Sequence, residues 1–171
     1  MQNHFDLFQL PARFTLDAGA LDVAYRDVQG QVHPDRFINA TAAEKRVAMQ
    51  WATRANEAYQ TLKNPQKRAR YLCELHGVDL QTESNTAMPL EFLMQQMAWR
   101  EALGEARAAK DVDALEALDE EVKGERSARL EAVGAELDAG KYAEAAQGVR
   151  ALMFLDKFGE EVRYAFEAVE A

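Results

Sequence analysis

One cysteine, four prolines and nine glycines in 171 residues leave this chain little material for covalent staples or tight turns. The lone Cys73 excludes an intramolecular disulfide and a metal cage built of cysteines, and in a helix-patterned run it reads as a small hydrophobe rather than a redox centre. His4, His33 and His76 fall on different segments with no i, i+4 pairing, so nothing indicates a histidine metal site, and no cofactor is expected. No apolar run reaches membrane-spanning length, and no charged leader precedes an apolar stretch, which points to a cytoplasmic protein. Runs of β-branched residues are few, and Asn-Gly or Asp-Gly hairpin turns are missing. No Gly-rich phosphate loop of either common type is present, so the chain is not expected to be a nucleotide hydrolase, or an enzyme of another kind.

What remains is helix. With 48% hydrophobic and 29% charged residues, the composition is that of a globular all-α protein. The net charge of −9 is unevenly spread: residues 1–76 carry +2 and residues 77–171 carry −11. Such a split predicts two modules with different partners, and the acidic half argues against nucleic acid. A short segment, Phe5-Asp6-Leu7-Phe8, ends before Leu10-Pro11. From Asp17 to Val32, residues Leu21, Tyr25, Val28 and Val32 share one helical face. Thr41-Ala42-Ala43-Glu44 has a capping-box pattern and opens a helix to about Lys63, with Ala48, Ala52, Ala55, Tyr59 and Leu62 as its buried stripe. Asn64-Pro65 supplies an N-cap and first-turn proline for a shorter helix closed by Gly77. The polar stretch 77–88 reads as a linker. From residue 89 to 171, breaks near Lys110-Asp111 and at Gly140 divide three long helical patterns, which predicts an antiparallel three-helix bundle. The last pattern carries a stripe of Ala145, Val149, Leu152, Leu155, Gly159, Val162, Phe166 and Val169.

Between the second and third patterns stands His33-Pro34-Asp35. Pro34 has a fixed φ and no N–H, and it drives His33 out of the helical region, so the preceding helix must end there. One titratable ring and one carboxylate are thereby held together on a stiffened loop. No nucleophile or oxyanion donor accompanies them, which disfavours acid–base catalysis by the pair.

Four motifs appear in order: Phe5-Asp6-Leu7-Phe8-Gln9-Leu10, His33-Pro34-Asp35-Arg36-Phe37, Ala55-Asn56-Glu57-Ala58-Tyr59-Gln60-Thr61-Leu62 and Asn64-Pro65-Gln66-Lys67-Arg68-Ala69. Over residues 1–76 the chain resembles a J-domain, an antiparallel helical hairpin with short flanking helices. The resemblance implies binding to a DnaK-type chaperone ATPase and stimulation of its ATP hydrolysis, with His33, Pro34 and Asp35 as the activating site. Arg26 and Arg36 are the cations expected to join them. The basic face that the family normally offers before the loop is thin, because Asp22 and Asp27 flank Arg26. Lys67 and Arg68 are candidates to supply part of the missing charge.

Beyond residue 89, the first helical pattern carries two apolar faces. Phe92, Trp99, Leu103 and Ala106 form one, assigned to the core; Leu90, Leu93, Met94 and Met97 form the other, running on to Glu101 and Glu105. One helix of a three-helix bundle buries a single broad stripe, so the second face is expected to be an exposed partner-binding surface rather than a contact with the first module. Together with Phe92-Leu93-Met94-Gln95-Gln96-Met97, Arg100-Glu101 and Phe154-Leu155-Asp156-Lys157, this arrangement resembles the bacterial HscB co-chaperones of iron–sulfur cluster assembly. The resemblance implies an IscU-type scaffold as one partner and an HscA-type chaperone as the other. Scaffold contact would fall on Leu93, Met94, Met97, Arg100, Glu101, Glu105 and Phe154, the last lying off its helix stripe and therefore expected to be exposed. Ala98 departs from the acidic residue frequent there. The alternative is a J-domain protein serving a general DnaK-type chaperone with another client.

Overall fold

The computed structural model describes residues 2–80 and 88–170. Residues 81–87, most of the expected linker, lie outside the described residues. Among those described, the chain forms helices and no strand: α1 (His4–Leu7), α2 (Ala18–Val32), α3 (Ala42–Lys63), α4 (Pro65–Leu75), α5 (Leu90–Ala109), α6 (Val112–Asp138) and α7 (Tyr142–Glu170).

The helix boundaries follow local chemistry. Asp17, Thr41, Asn64 and Asp111 each turn a side-chain oxygen onto backbone N–H groups of the first turn, satisfying donors that have no partner within the helix. Asn3 and Asp6 do so reciprocally, a full capping box that allows a helix as short as α1. At Gly77 and Gly140 the chain reverses with φ of +77° and +78°, which ends α4 and α6. The loop after α2 is tighter than expected: Pro34–Phe37 close into a single 3-10 turn, with the Arg36 N–H donating to the His33 carbonyl at 3.0 Å.

α2 and α3 pack as a hairpin, with α1 laid across α3. Tyr25 stacks on Tyr59 with ring centroids 4.1 Å apart, and the Tyr59 hydroxyl donates to Asp22 at 2.6 Å. Donation to that carboxylate holds the Tyr59 phenol above its ordinary range. On α3 the buried positions are Ala48, Ala55, Ala58 and Leu62; Ala52, expected inside, faces solvent. α3 meets α1, α2 and α4, so its buried positions answer to three neighbours rather than to one straight stripe.

α6 and α7 form the long antiparallel hairpin of the second half, with α5 against both. The α7 stripe is wider than the heptad reading. Phe158 is fully buried while its neighbour Gly159 is half-buried, and Ala146, Ala151 and Ala165 are also inside. A helix touching α4, α5 and α6 must bury more than one seam. The two halves are not beads on a string. One continuous core joins Phe5, Leu21, Leu62 and Leu72 to Val149, Leu152, Leu155 and Phe158, because α4 packs directly on α6 and α7.

Candidate functional site

His33 leaves α2 in an extended conformation, φ −59° and ψ 136°, as the following proline requires. Its ring bends back so that Nδ1 accepts from the Asp35 N–H at 3.2 Å. That acceptor role leaves Nε2 to carry the proton of the neutral ring. The Asp35 carboxylate stands 3.6 Å from Nδ1, with side-chain exposures of 59% for His33 and 83% for Asp35. Side chains this open are accessible to a partner cation. Pro34 and Arg36 are exposed with them, and so is Arg26, about two turns back on α2. Asp22 is half-buried and accepts from the Tyr59 hydroxyl.

Arg68 is not part of this surface. Only 9% of it is exposed; Nη1 donates to the Leu62 carbonyl at 2.7 Å, and the guanidinium lies 4.6 Å from the centroid of the Phe14 ring. Burial lowers its pKa, with Asp138 acting in the opposite sense. The expectation that it supplies surface charge is corrected: α4 turns Arg68 inward toward the second half. Lys67 remains outside.

On α5 the two faces separate as expected. Phe92, Trp99, Leu103 and Ala106 are buried, whereas Leu90, Leu93, Met94 and Met97 are exposed, Leu90 and Met97 by 71% each. Among the described residues α5 touches α6 and α7 and no other element, so the first half does not cover this face. Glu101 and Glu105 continue it along the helix as exposed carboxylates.

Phe154 differs from its expected exposure. It is half-buried, edge-on to Phe92 with centroids 5.6 Å apart and stacked on Phe158 at 5.7 Å. Arg100 covers the pair, 5.6 Å from the Phe154 centroid and 5.9 Å from that of Phe158, and pairs with Glu161 at 3.4 Å. A residue off the heptad seam of α7 therefore meets α5, and only part of it is available to a partner.

The junction between the halves was not legible in the sequence. His76 stacks on Tyr142 at 3.8 Å. Cys73 is buried at the same junction, and burial pushes its thiol up to about 11, which keeps it protonated and inert at neutral pH. Arg126 bridges Asp156 at 2.7 Å and Gln66 at 3.1 Å, and Arg150 donates to the carbonyls of Leu80 and Asp79 at 3.3 and 3.1 Å. At the end of α6, Asp138 accepts from the Phe14 N–H at 2.9 Å, from the Thr15 N–H and from the Thr15 hydroxyl, with Arg13 3.9 Å away. Partial burial raises the Asp138 pKa, but the Thr15 and Phe14 donors and Arg13 outweigh it and hold the carboxyl below the ordinary range. The folded state thus binds this proton more weakly than the unfolded chain. Its stabilisation is complete above the ordinary carboxylate range and is lost as pH falls through the lowered folded value. Asp138→Asn is expected to destabilise by about 1–2 kcal/mol at pH 7 in urea titrations. The gap from wild type should narrow as the pH is taken below about 4, the unperturbed range of an aspartate; a gap independent of pH would refute the assignment.

A helical hairpin with an exposed His-Pro-Asp turn, joined through a common core to a three-helix bundle, defines a J-domain co-chaperone. The chain belongs to the HscB co-chaperone family. Residues 88–163 match the family model described as the HSCB C-terminal oligomerisation domain. The chain is 58% identical over 168 residues to the co-chaperone protein HscB homolog of Burkholderia multivorans, covering 98% of this chain and 96% of that protein. The Burkholderia mallei homolog is 59% identical over the same shares. Among solved structures, chaperone HscB from Vibrio cholerae superposes with a TM-score of 0.81 at 36% identity, covering 98% of this chain and 99% of that one. Human co-chaperone protein HscB gives 0.86 at 26% identity, over 96% and 82%. Among the described residues no helix is long and apolar enough to cross a membrane.

Proposed function

We propose that this protein is a cytoplasmic adaptor, not itself an enzyme, that binds an IscU-type iron–sulfur cluster scaffold on α5 and delivers it to an HscA-type chaperone, whose ATP hydrolysis it stimulates through His33-Pro34-Asp35. The observation that carries the reading is the uncovered face of Leu90, Leu93, Met94 and Met97, on a helix whose opposite side already supplies its share of the core. Four large apolar side chains in water gain by burial against a partner, and the flexible methionines adapt to its shape. Arg100, Glu101 and Glu105 continue α5 beyond the patch and add polar contacts, and the exposed part of Phe154 adds an aromatic one. Arg36, next in the chain after Asp35, and Arg26, about two turns back on α2, meet acidic groups of the ATPase.

Holding both partners on one molecule raises the scaffold's effective concentration at the chaperone's substrate site. Single-turnover ATP hydrolysis by the chaperone, with this protein and the scaffold added separately and together, tests the reading. The rate should rise more with both than the two separate increments allow. Purely additive rates would return the protein to a J-domain partner of a general chaperone.

A further inference from the structure

The first half also leaves apolar surface uncovered, and it does so at the end that carries the turn. On α3, Val47, Trp51, Ala55, Ala58 and Leu62 follow one another at spacings of three and four, which puts them on one face. Ala55, Ala58 and Leu62 are fully buried, whereas nearer the His-Pro-Asp loop Trp51 is 37% exposed and Val47 50%. Ile38, directly after the 3-10 turn, is 68% exposed. A seam that is core at one end and bare at the other lacks a covering element at its bare end. The 3-10 turn itself packs on α3. At 1.5 Å per residue, Val47 and Trp51 stand about 8 and 14 Å along the axis from Ala42. A protein partner of ordinary size covers about 800 Å² on each side, a disc about 16 Å in radius. One centred on the turn has the reach to cover both.

Charge points the same way. α2 carries Arg26 against Asp22 and Asp27, a net of −1. From Ala42 to Arg54, α3 carries Lys45, Arg46 and Arg54 against Glu44, a net of +2. Lys45 and Arg46 are exposed, and the Arg54 guanidinium lies 5.4 Å from the centroid of the Trp51 ring, a cation laid on an aromatic face. The positive surplus of the hairpin therefore accompanies the bare seam of α3 and not the helix that leads into the turn.

We propose that Val47 and Trp51, with Lys45, Arg46 and Arg54 on the same stretch of helix, form a second contact for the chaperone ATPase. The chaperone would cover the seam with an apolar group ringed by carboxylates while it engages His33-Pro34-Asp35. The proposal deepens the adaptor reading and rests on it. The two contacts do different things: α3 supplies affinity through a tryptophan anchor, and the turn triggers hydrolysis. Two copies of this chain meeting on the same face would set cations against cations, which argues against self-association there.

Trp51→Gln combined with Val47→Gln removes the apolar seam and keeps α3 helical, which thermal melts verify. The concentration of this variant that gives half-maximal ATPase stimulation should rise about thirtyfold, the cost of losing one interface anchor. Asp35→Asn should instead lower the plateau. Fluorotryptophan-labelled protein with no substitution gives an independent readout, because its two tryptophans differ: Trp99 is buried against Phe158. The fluorine resonance of Trp51 should shift as ATP-bound chaperone is added, while that of Trp99 stays in place. A Trp51 resonance unmoved at chaperone levels that give full stimulation would overturn the contact. So would half-saturation of the folded double variant within about twofold of wild type. A Trp51 resonance that shifts with this protein's own concentration would assign the seam to a second copy and overturn it as well. A wild type that does not stimulate the chaperone at all would defeat the adaptor reading itself, and this contact with it.

Discussion

Asp35→Asn is expected to abolish stimulation of the chaperone ATPase while leaving the protein folded. The Asp35 side chain is 83% exposed and its near neighbour is His33, so the native state loses little when the charge is removed. The Asp35 backbone N–H, which donates to His33 Nδ1, is untouched, and the turn keeps its shape. In the complex the same carboxylate is desolvated against a chaperone cation, and a charge-assisted contact of that kind is worth a few kcal/mol, or about 100-fold in stimulation. His33→Gln should behave similarly, because the imidazole and its Nε2–H are lost. Single-turnover hydrolysis at saturating co-chaperone, beside thermal melts of each variant, checks both parts. Stimulation within twofold of wild type by Asp35→Asn would remove the turn from the mechanism.

The second large effect belongs to the other partner. Met94 and Met97 are 60% and 71% exposed and Leu93 37%, so replacing all three by Ala costs the fold chiefly what Leu93 buries, and the melting temperature should fall only slightly. Scaffold affinity should fall by 100-fold or more, since burying side chains of this size contributes about 1.5–3 kcal/mol each. Titration calorimetry with the isolated scaffold measures it directly. The variant should still activate the chaperone in the scaffold's absence, because the His-Pro-Asp turn lies on other helices. An affinity within threefold of wild type would move the scaffold to another surface.

Much of this protein can be read from its punctuation. Asp17, Thr41, Asn64 and Asp111 begin helices for the local reason that a short polar side chain can satisfy free N–H groups, and Gly77 and Gly140 end them because other side chains resist positive φ. The two faces of α5 are equally legible, since periodicity alone separates Phe92 and Trp99 from Leu93 and Met97. Arg68 and Phe154 show where such reading stops. One looked like surface charge and is buried; the other looked exposed and leans on Phe92. In both cases the deciding neighbour is far away in sequence, and helical spacing carries no information about which second helix arrives. Gly134 left a faint signal, a glycine with no turn to make inside a long helical pattern. Its purpose becomes visible only with Phe14 in place.

The sequence by itself determined the helices, their ends, the stiffened His-Pro-Asp turn and the apolar surplus on α5, because each depends on residues within a few turns of one another. Tertiary structure alone decided that the two halves share one core, that Arg68 faces inward, and that Phe14 plugs α6 beneath the hook of Asp138. Those outcomes depend on which distant surfaces meet and on what fills the space between them; at Gly134 that space is taken by the Phe14 ring, which an added Cβ would meet at 2.5 Å.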